Sequence, residues 1–139
     1  MQYHVQIVPC EVITSLLAGC DGGSKCPSAA FRDVDRSAES WYHEAVDWAV
    51  AKKVTNGVSE NSFAPDASCT RAQMVTFLWR ASGSPAPANR TNNFVDVPAG
   101  QFYTDAVLWA NAAGITNGTD STHFSPDANV TRAQTVTFL

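Results

Sequence analysis

Phe63-Ala64-Pro65-Asp66-Ala67-Ser68-Cys69-Thr70-Arg71-Ala72-Gln73-Met74-Val75-Thr76-Phe77-Leu78 returns as Phe124-Ser125-Pro126-Asp127-Ala128-Asn129-Val130-Thr131-Arg132-Ala133-Gln134-Thr135-Val136-Thr137-Phe138-Leu139. Each copy reads as a proline-containing loop that runs into a helix. Thr70 and Gln73 have the spacing of a capping box. The hydroxyl takes the glutamine N–H and the glutamine reaches back to the cap N–H, and Thr131 and Gln134 repeat the arrangement. The first of these helices extends to about Trp79 or Arg80. Ala72, Met74, Val75, Phe77, Leu78 and Trp79 cover more than one of its faces, so it is expected to be buried on several sides. That pattern places the second helices of the copies together at the centre and the first helices outside.

The repetition extends upstream. Phe31-Arg32-Asp33-Val34 returns as Phe94-Val95-Asp96-Val97, and Trp41-Tyr42 as Phe102-Tyr103. Ala45-Val46-Asp47-Trp48-Ala49 returns as Ala106-Val107-Leu108-Trp109-Ala110, and Thr55-Asn56-Gly57 as Thr116-Asn117-Gly118. Tyr42, Ala45, Val46, Ala49 and Val50 recur at helical spacing, predicting an amphipathic helix from about Trp41 to Lys52 that Asn56-Gly57 ends. Phe63 and Phe124 are expected to pin the following loop to the core. The first copy holds two extra residues between Val34 and Trp41, which marks that stretch as a loop. The reading divides the chain into a non-repeating segment 1–30, a repeat 31–82, a Pro/Asn-rich linker 83–93 and a repeat 94–139.

Composition narrows the function. With 139 residues, 45% apolar, 16% charged and a formal net charge of -4, the chain can form a core but lacks the basic face that nucleic acid requires. No apolar run approaches the roughly 20 residues of a membrane-spanning helix. Cys10, Cys20, Cys26 and Cys69 lack the paired spacing of a zinc site. His43-Glu44 begins like a metalloprotease helix, but Asp47 stands where the second histidine would be, and the stretch reads as a solvated helix face. No catalytic constellation, metal site or cofactor motif is present, so an enzyme is not expected.

The chain resembles the S-layer homology family. The resemblance rests on Phe-x-Asp-Val, the aromatic before the first helix, Asn-Gly, Phe-x-Pro and above all Thr-Arg-Ala-Gln, each present twice between Phe31 and Leu139. It implies an all-α fold of tandem helix-loop-helix repeats packed into a partial pseudo-threefold bundle, preceded by a short irregular segment. It also implies an exported bacterial protein held non-covalently at the cell surface by secondary cell-wall polysaccharide attached to peptidoglycan, an acidic polymer often carrying pyruvate ketals. Such repeats usually work in threes. Two repeats therefore suggest a fragment, or a module completed by a third repeat or by self-association. Protein–protein assembly is the alternative function.

The candidate ligand residues are Arg71, Arg132, Trp41, Phe102, Gly57, Gly118, Asp33 and Asp96. Arg71 and Arg132 sit in a first helical turn, where the macrodipole disfavours a cation. An expected anion resolves the conflict: the helix N-terminus offers free N–H groups and guanidinium offers a planar fork. The competing reading pairs them internally with Asp33, Asp96, Asp66 or Asp127. Trp41 and Phe102 either stack on sugar faces or staple the first helix. Gly57 and Gly118 supply positive-φ turn geometry, and the resemblance adds a place in the ligand cleft. Asp33 and Asp96 read first as loop braces. In segment 1–30, Gln2 to Val8 is strand-like. Leu17-Ala18-Gly19-Cys20 matches a lipoprotein cleavage box by type, but no Lys or Arg precedes it. A local Cys20–Cys26 disulfide is the preferred reading, and export permits it. Cys69, opposite Val130, is expected to be a small buried residue.

Overall fold

The computed structural model describes residues 22–138; the strand-like reading of Gln2 to Val8 and the Cys20 end of the expected disulfide lie outside them. Helices are the regular elements of the described residues: a 3-10 turn Pro27–Ala30, then α1 (His43–Ala51), α2 (Arg71–Ala81), α3 (Thr104–Ala112) and α4 (Arg132–Phe138). The all-α expectation holds. Backbone pairing outside helices is confined to isolated bridges, Ser59 with Ser62 and Thr70 with Asn129.

The chain divides into two compact units between Ala67 and Ser68, inside the first sequence repeat. The unit that ends at Ala67 contains the 3-10 turn and α1, packed against each other. Its core is small: Phe31, Val34 and Val46, flanked by Tyr42, Val50 and Phe63. A core of that size gains little from apolar burial alone, at about 1.5–3 kcal/mol per large side chain. Polar and covalent ties supplement it. Asp47, fully buried, accepts the Ser28 N–H at 2.8 Å and pairs with His43 Nε2 at 2.8 Å, and Cys26 is disulfide-bonded.

The unit from Ser68 onward holds the larger core. Ala72, Val75 and Leu78 of α2 meet Tyr103, Ala106, Val107, Trp109 and Ala110 of α3, with Phe94, Val97, Phe124 and Phe138 closing the cluster. α2 packs chiefly on α3, the second helix of one sequence repeat on the first helix of the next. This departs from the expectation that first helices lie outside: Ala106 through Ala110 are all buried. Ala106 and Ala110, the small residues of this run, have no solvent exposure at all. The linker is tied down as well, with Trp79 Nε1 donating to the Pro85 carbonyl at 2.8 Å and Asn92 Nδ2 to the Val97 carbonyl at 2.7 Å.

Helix ends also differ from the reading. Asn56-Gly57 does not stop α1. Lys53, at φ 59, has already turned the chain, and Val54 N–H bonds back to the Ala49 carbonyl at 2.8 Å. In the second copy Gly114, at φ 76, does the same, with Ile115 N–H on Ala110. This left-handed residue just past the helix is a Schellman-type stop. The later glycine serves a different need. At Gly118, φ 83, an added Cβ would lie 2.5 Å from the His123 carbonyl oxygen and 2.6 Å from the Phe94 ring. Gly118→Ala is therefore expected to cost about 2–4 kcal/mol through backbone strain and a forced shift of the loop. Urea unfolding with an unchanged midpoint would show that the loop yields freely.

Candidate functional site

The start of α2 is where the two copies of the motif interlock. The Arg71 N–H donates to the Ala128 carbonyl at 2.8 Å and the Ala72 N–H to the Pro126 carbonyl at 3.0 Å. Gln73 N–H goes to Thr70 Oγ1 at 3.1 Å and Gln73 Oε1 accepts Thr70 N–H at 2.9 Å, so the capping box forms as read. Every first-turn donor is thus used. The expectation of free N–H groups for an anion fails at α2, because carbonyls of the following Phe-x-Pro loop take them. The sequence pattern could not show this, since the acceptors lie more than fifty residues away.

Arg71 is only 4% exposed. Its Nε donates to the Phe124 carbonyl at 2.8 Å, and its guanidinium carbon lies 4.8 Å from the Phe124 ring centre and 5.3 Å from that of Phe138. Both contacts have cation–π geometry. Burial pushes the guanidinium pKa down and the nearby Asp96 charge opposes that shift. Nitrogen–oxygen ion pairing to a carboxylate is absent for Arg71 and Arg132 among the described residues. The competing internal-pair reading is met only by the longer-range field of Asp96. The two terminal nitrogens of Arg71 bond no described residue and are not among the fully buried unpaired atoms, so the end of the fork reaches solvent while its stem and Nε are buried. Arg132, at the same motif position, is exposed.

The aspartates brace the loops. Asp33 accepts the Phe63 N–H at 2.9 Å, the Ala64 N–H at 2.7 Å and the Ser62 hydroxyl at 2.9 Å. Those donors, led by the Phe63 and Ala64 amides, hold its pKa below the usual carboxylate range. Asp96 does the same for Phe124 N–H at 2.9 Å and Ser125 N–H at 2.8 Å. What they hold is an unusual backbone that the sequence did not announce: Ala64 and Ser125 sit at φ 58 and φ 59, directly before a proline. Phe124 is fully buried as the plug it was read to be, and Phe63 packs on the smaller core.

Trp41 is 90% exposed and Phe102 56%. Each stands edge-on to the next residue, Tyr42 at 5.4 Å and Tyr103 at 5.1 Å between ring centres. The tyrosines, not Trp41 and Phe102, turn into the core, so the staple reading lacks its buried contact. Gly57 and Gly118 are covered by the Phe31 and Phe94 rings at the face where a side chain would project. Cys69 is half-buried with a free thiol, its pKa raised by burial.

His43 overturns the solvated-face reading: it is buried against Asp47. Cys26, His43 and Asp47 place potential ligand atoms within 4.8 Å of one another. The Cys26 sulfur is committed to a disulfide, which removes the thiolate such a site would need. The trio serves structure. It closes the Pro27–Ala30 turn onto α1, and the second copy, with Thr104 and Leu108 at these positions, has no such turn to hold.

Comparison with known proteins agrees with this geometry. The family model described as S-layer homology domain matches residues 30–75 and 93–136. The chain is 32% identical over 113 residues to a cell surface protein of Thermoanaerobacter kivui, covering 78% of this chain and 15% of that protein. It is 31% identical over 96 residues to a surface-layer 125 kDa protein of Lysinibacillus sphaericus, covering 69% of this chain and 8% of that one. It is 25% identical over 119 residues to an endo-1,4-beta-xylanase A of Thermoanaerobacterium saccharolyticum, covering 86% of this chain and 10% of the enzyme. The chain thus spans a small fraction of each relative. The matched segments take up well over half of its residues, and each contains one full set of the repeated motifs up to Thr-Arg-Ala-Gln. The chain belongs to the S-layer homology domain family and carries two tandem copies of the domain.

Proposed function

We propose that this module anchors a larger exported bacterial protein to the wall without catalysis, by binding an acidic secondary cell-wall polysaccharide attached to peptidoglycan. Family membership and the surface-protein relatives carry the coarser statement: it is a cell-surface anchoring domain acting outside the cell. The activity named for the xylanase relative is not carried over to this segment.

The observation that supports the finer reading is the Arg71 guanidinium. Its stem is held against two aromatic rings, and its terminal nitrogens bond no described residue and reach solvent, where an anion can meet them. A pyruvate ketal carboxylate has the planar geometry that guanidinium recognises in a bidentate fashion. The exposed rings of Trp41 and Phe102 offer flat apolar surface of the kind that packs on sugar faces. Arg132, Gly57, Gly118, Asp33 and Asp96 are assigned supporting places, the aspartates by fixing the loops beside the arginines.

The test is sedimentation with purified sacculi, before and after hydrofluoric acid removes secondary polymer. Binding should vanish on stripping, and a pyruvylated saccharide should compete better than the same sugar without the ketal. Trp41→Ala and Phe102→Ala remove exposed rings, so the variants should fold normally and each bind about tenfold more weakly. Undiminished binding by the double variant would remove the stacking role; retention on stripped sacculi would remove the polymer.

A further inference from the structure

Three chemistry-bearing side chains meet at one buried point in the unit that ends at Ala67. Cys26 is 4% exposed, His43 8% and Asp47 not at all. Their ligand atoms all lie within 4.8 Å of one another. His43 and Asp47 are four residues apart on α1, so both project from one face of the helix. Cys26 caps the Pro27–Ala30 turn, and that turn packs on α1. The backbone fixes how the ligands are presented. The Ser28 N–H occupies Asp47 Oδ1 at 2.8 Å, while Oδ2 faces His43 Nε2, also at 2.8 Å. The Gly22 N–H donates to Cys26 Sγ at 3.2 Å, an amide contact of the kind that steadies a ligating sulfur. The hydroxyl of Ser28 is buried with no hydrogen-bond partner, so the protein alone does not satisfy every polar atom around this point. The repeat itself does not require these groups. The second copy builds the same helix with Thr104 and Leu108 at the two α1 positions, and no cysteine follows Cys69.

We propose that Cys26, His43 and Asp47 form a zinc site in the reduced chain, and that the metal and the disulfide are alternative clamps at one place. Thiolate, imidazole and carboxylate are the donor set of a tetrahedral zinc centre, whereas calcium and magnesium take oxygen donors. Zinc holds nitrogen and oxygen at about 2.0–2.1 Å and sulfur at about 2.3 Å, which sets neighbouring ligand atoms roughly 3.3–3.7 Å apart. Small side-chain shifts reach that spacing, with His43 and Asp47 parting to admit the ion between them. The disulfide closes the site while it stands. A thiol reductant delivers two electrons and two protons to it and leaves two thiols. Zinc then displaces the proton of the Cys26 thiol, and the second freed thiol takes the fourth position with loss of its own proton. Either clamp ties the Pro27–Ala30 turn to α1, where the apolar core is small.

Titration of the full chain with cobalt(II) and zinc(II), with and without a phosphine reductant, tests the site. The reduced chain should bind cobalt with the visible bands of tetrahedral geometry and a near-ultraviolet sulfur-to-cobalt charge-transfer band. The oxidised chain should show neither. Zinc should displace the cobalt and raise the thermal midpoint of the reduced chain alone. Cys69→Ser should change nothing, because that thiol is not one of the three ligands. His43→Thr and Asp47→Asn should each weaken cobalt binding about tenfold or more, with helicity retained by circular dichroism. X-ray absorption at the zinc edge reads the ligands of the unmodified reduced chain without any substitution. It should show sulfur at about 2.3 Å together with an imidazole shell at about 2.0–2.1 Å. Sulfur alone or oxygen alone around the zinc would overturn the proposal. So would a reduced chain without tetrahedral cobalt bands, or bands that both substitutions leave unchanged. None of these readouts involves wall polymer, which the sacculus assay reads separately.

Discussion

Arg71→Ala is expected to destabilise the unit from Ser68 onward by about 3–5 kcal/mol, while Arg132→Ala changes stability by less than about 0.5 kcal/mol. The two residues share a motif and differ in surroundings. Truncating Arg71 empties the space between the Phe124 and Phe138 rings and leaves the buried Phe124 carbonyl without its Nε donor. Arg132 is solvent-exposed and touches nothing comparable. Thermal or urea unfolding of the two variants measures the contrast. Equal, small effects would mean that the guanidinium is not part of the core. The large effect at Arg71 also shapes any binding experiment: Arg71→Ala loses ligand and fold together. Arg71→Lys keeps a positive charge but not the planar fork, and is the variant in which weaker binding can be read against retained helicity.

That contrast shows where the sequence stops being informative. Thr70 and Gln73 are legible because a capping box is a local device, complete within four residues. Asp33 and Asp96 are legible as braces because aspartate accepts turn amides and the Phe-x-Pro loop recurs with each. The role of Arg71 is not legible in the same way. Its placement against the macrodipole signals that something compensates it, yet the first compensation found is a carbonyl supplied by the next repeat. A helix start taken as an isolated surface offers free donors, whereas those of α2 are consumed by a neighbour distant in sequence. The same long-range effect explains why the packing unit divides at Ala67 although the sequence repeat runs on through α2. Sequence periodicity marks the copied unit; packing joins the end of one copy to the start of the next.

Trp41 illustrates the opposite case. Position alone left it between a staple and a sugar platform, since both want an aromatic just before a helix. The neighbouring Tyr42 decides: two adjacent aromatics at a helix start cannot both turn inward, and the tyrosine takes the core while the tryptophan stays in water. A Tyr following the aromatic in both copies was the available signal.

Asp47→Ala is expected to cost the unit that ends at Ala67 about 3–4 kcal/mol, because it removes the buried carboxylate that holds both the Ser28 N–H and the His43 ring. Asp47 accepts the Ser28 N–H through one oxygen and pairs with His43 through the other, with no solvent exposure of its own. Without it, the turn at Pro27–Ala30 loses its hold on α1, and little apolar core stands behind that contact. The second copy supplies the comparison, since Thr104 and Leu108 occupy these positions without a charged pair. Asp47→Leu should resemble Asp47→Ala in cost, as leucine fills volume but accepts no hydrogen bond. Adding His43→Thr should then recover part of the loss, because the buried imidazole that faced the carboxylate goes with it. A double variant whose loss equals the sum of the two singles would show that His43 and Asp47 act independently. The disulfide at Cys26 limits how far the turn can drift, so reducing it should deepen the effect of Asp47→Ala more than that of an exposed substitution such as Glu44→Ala.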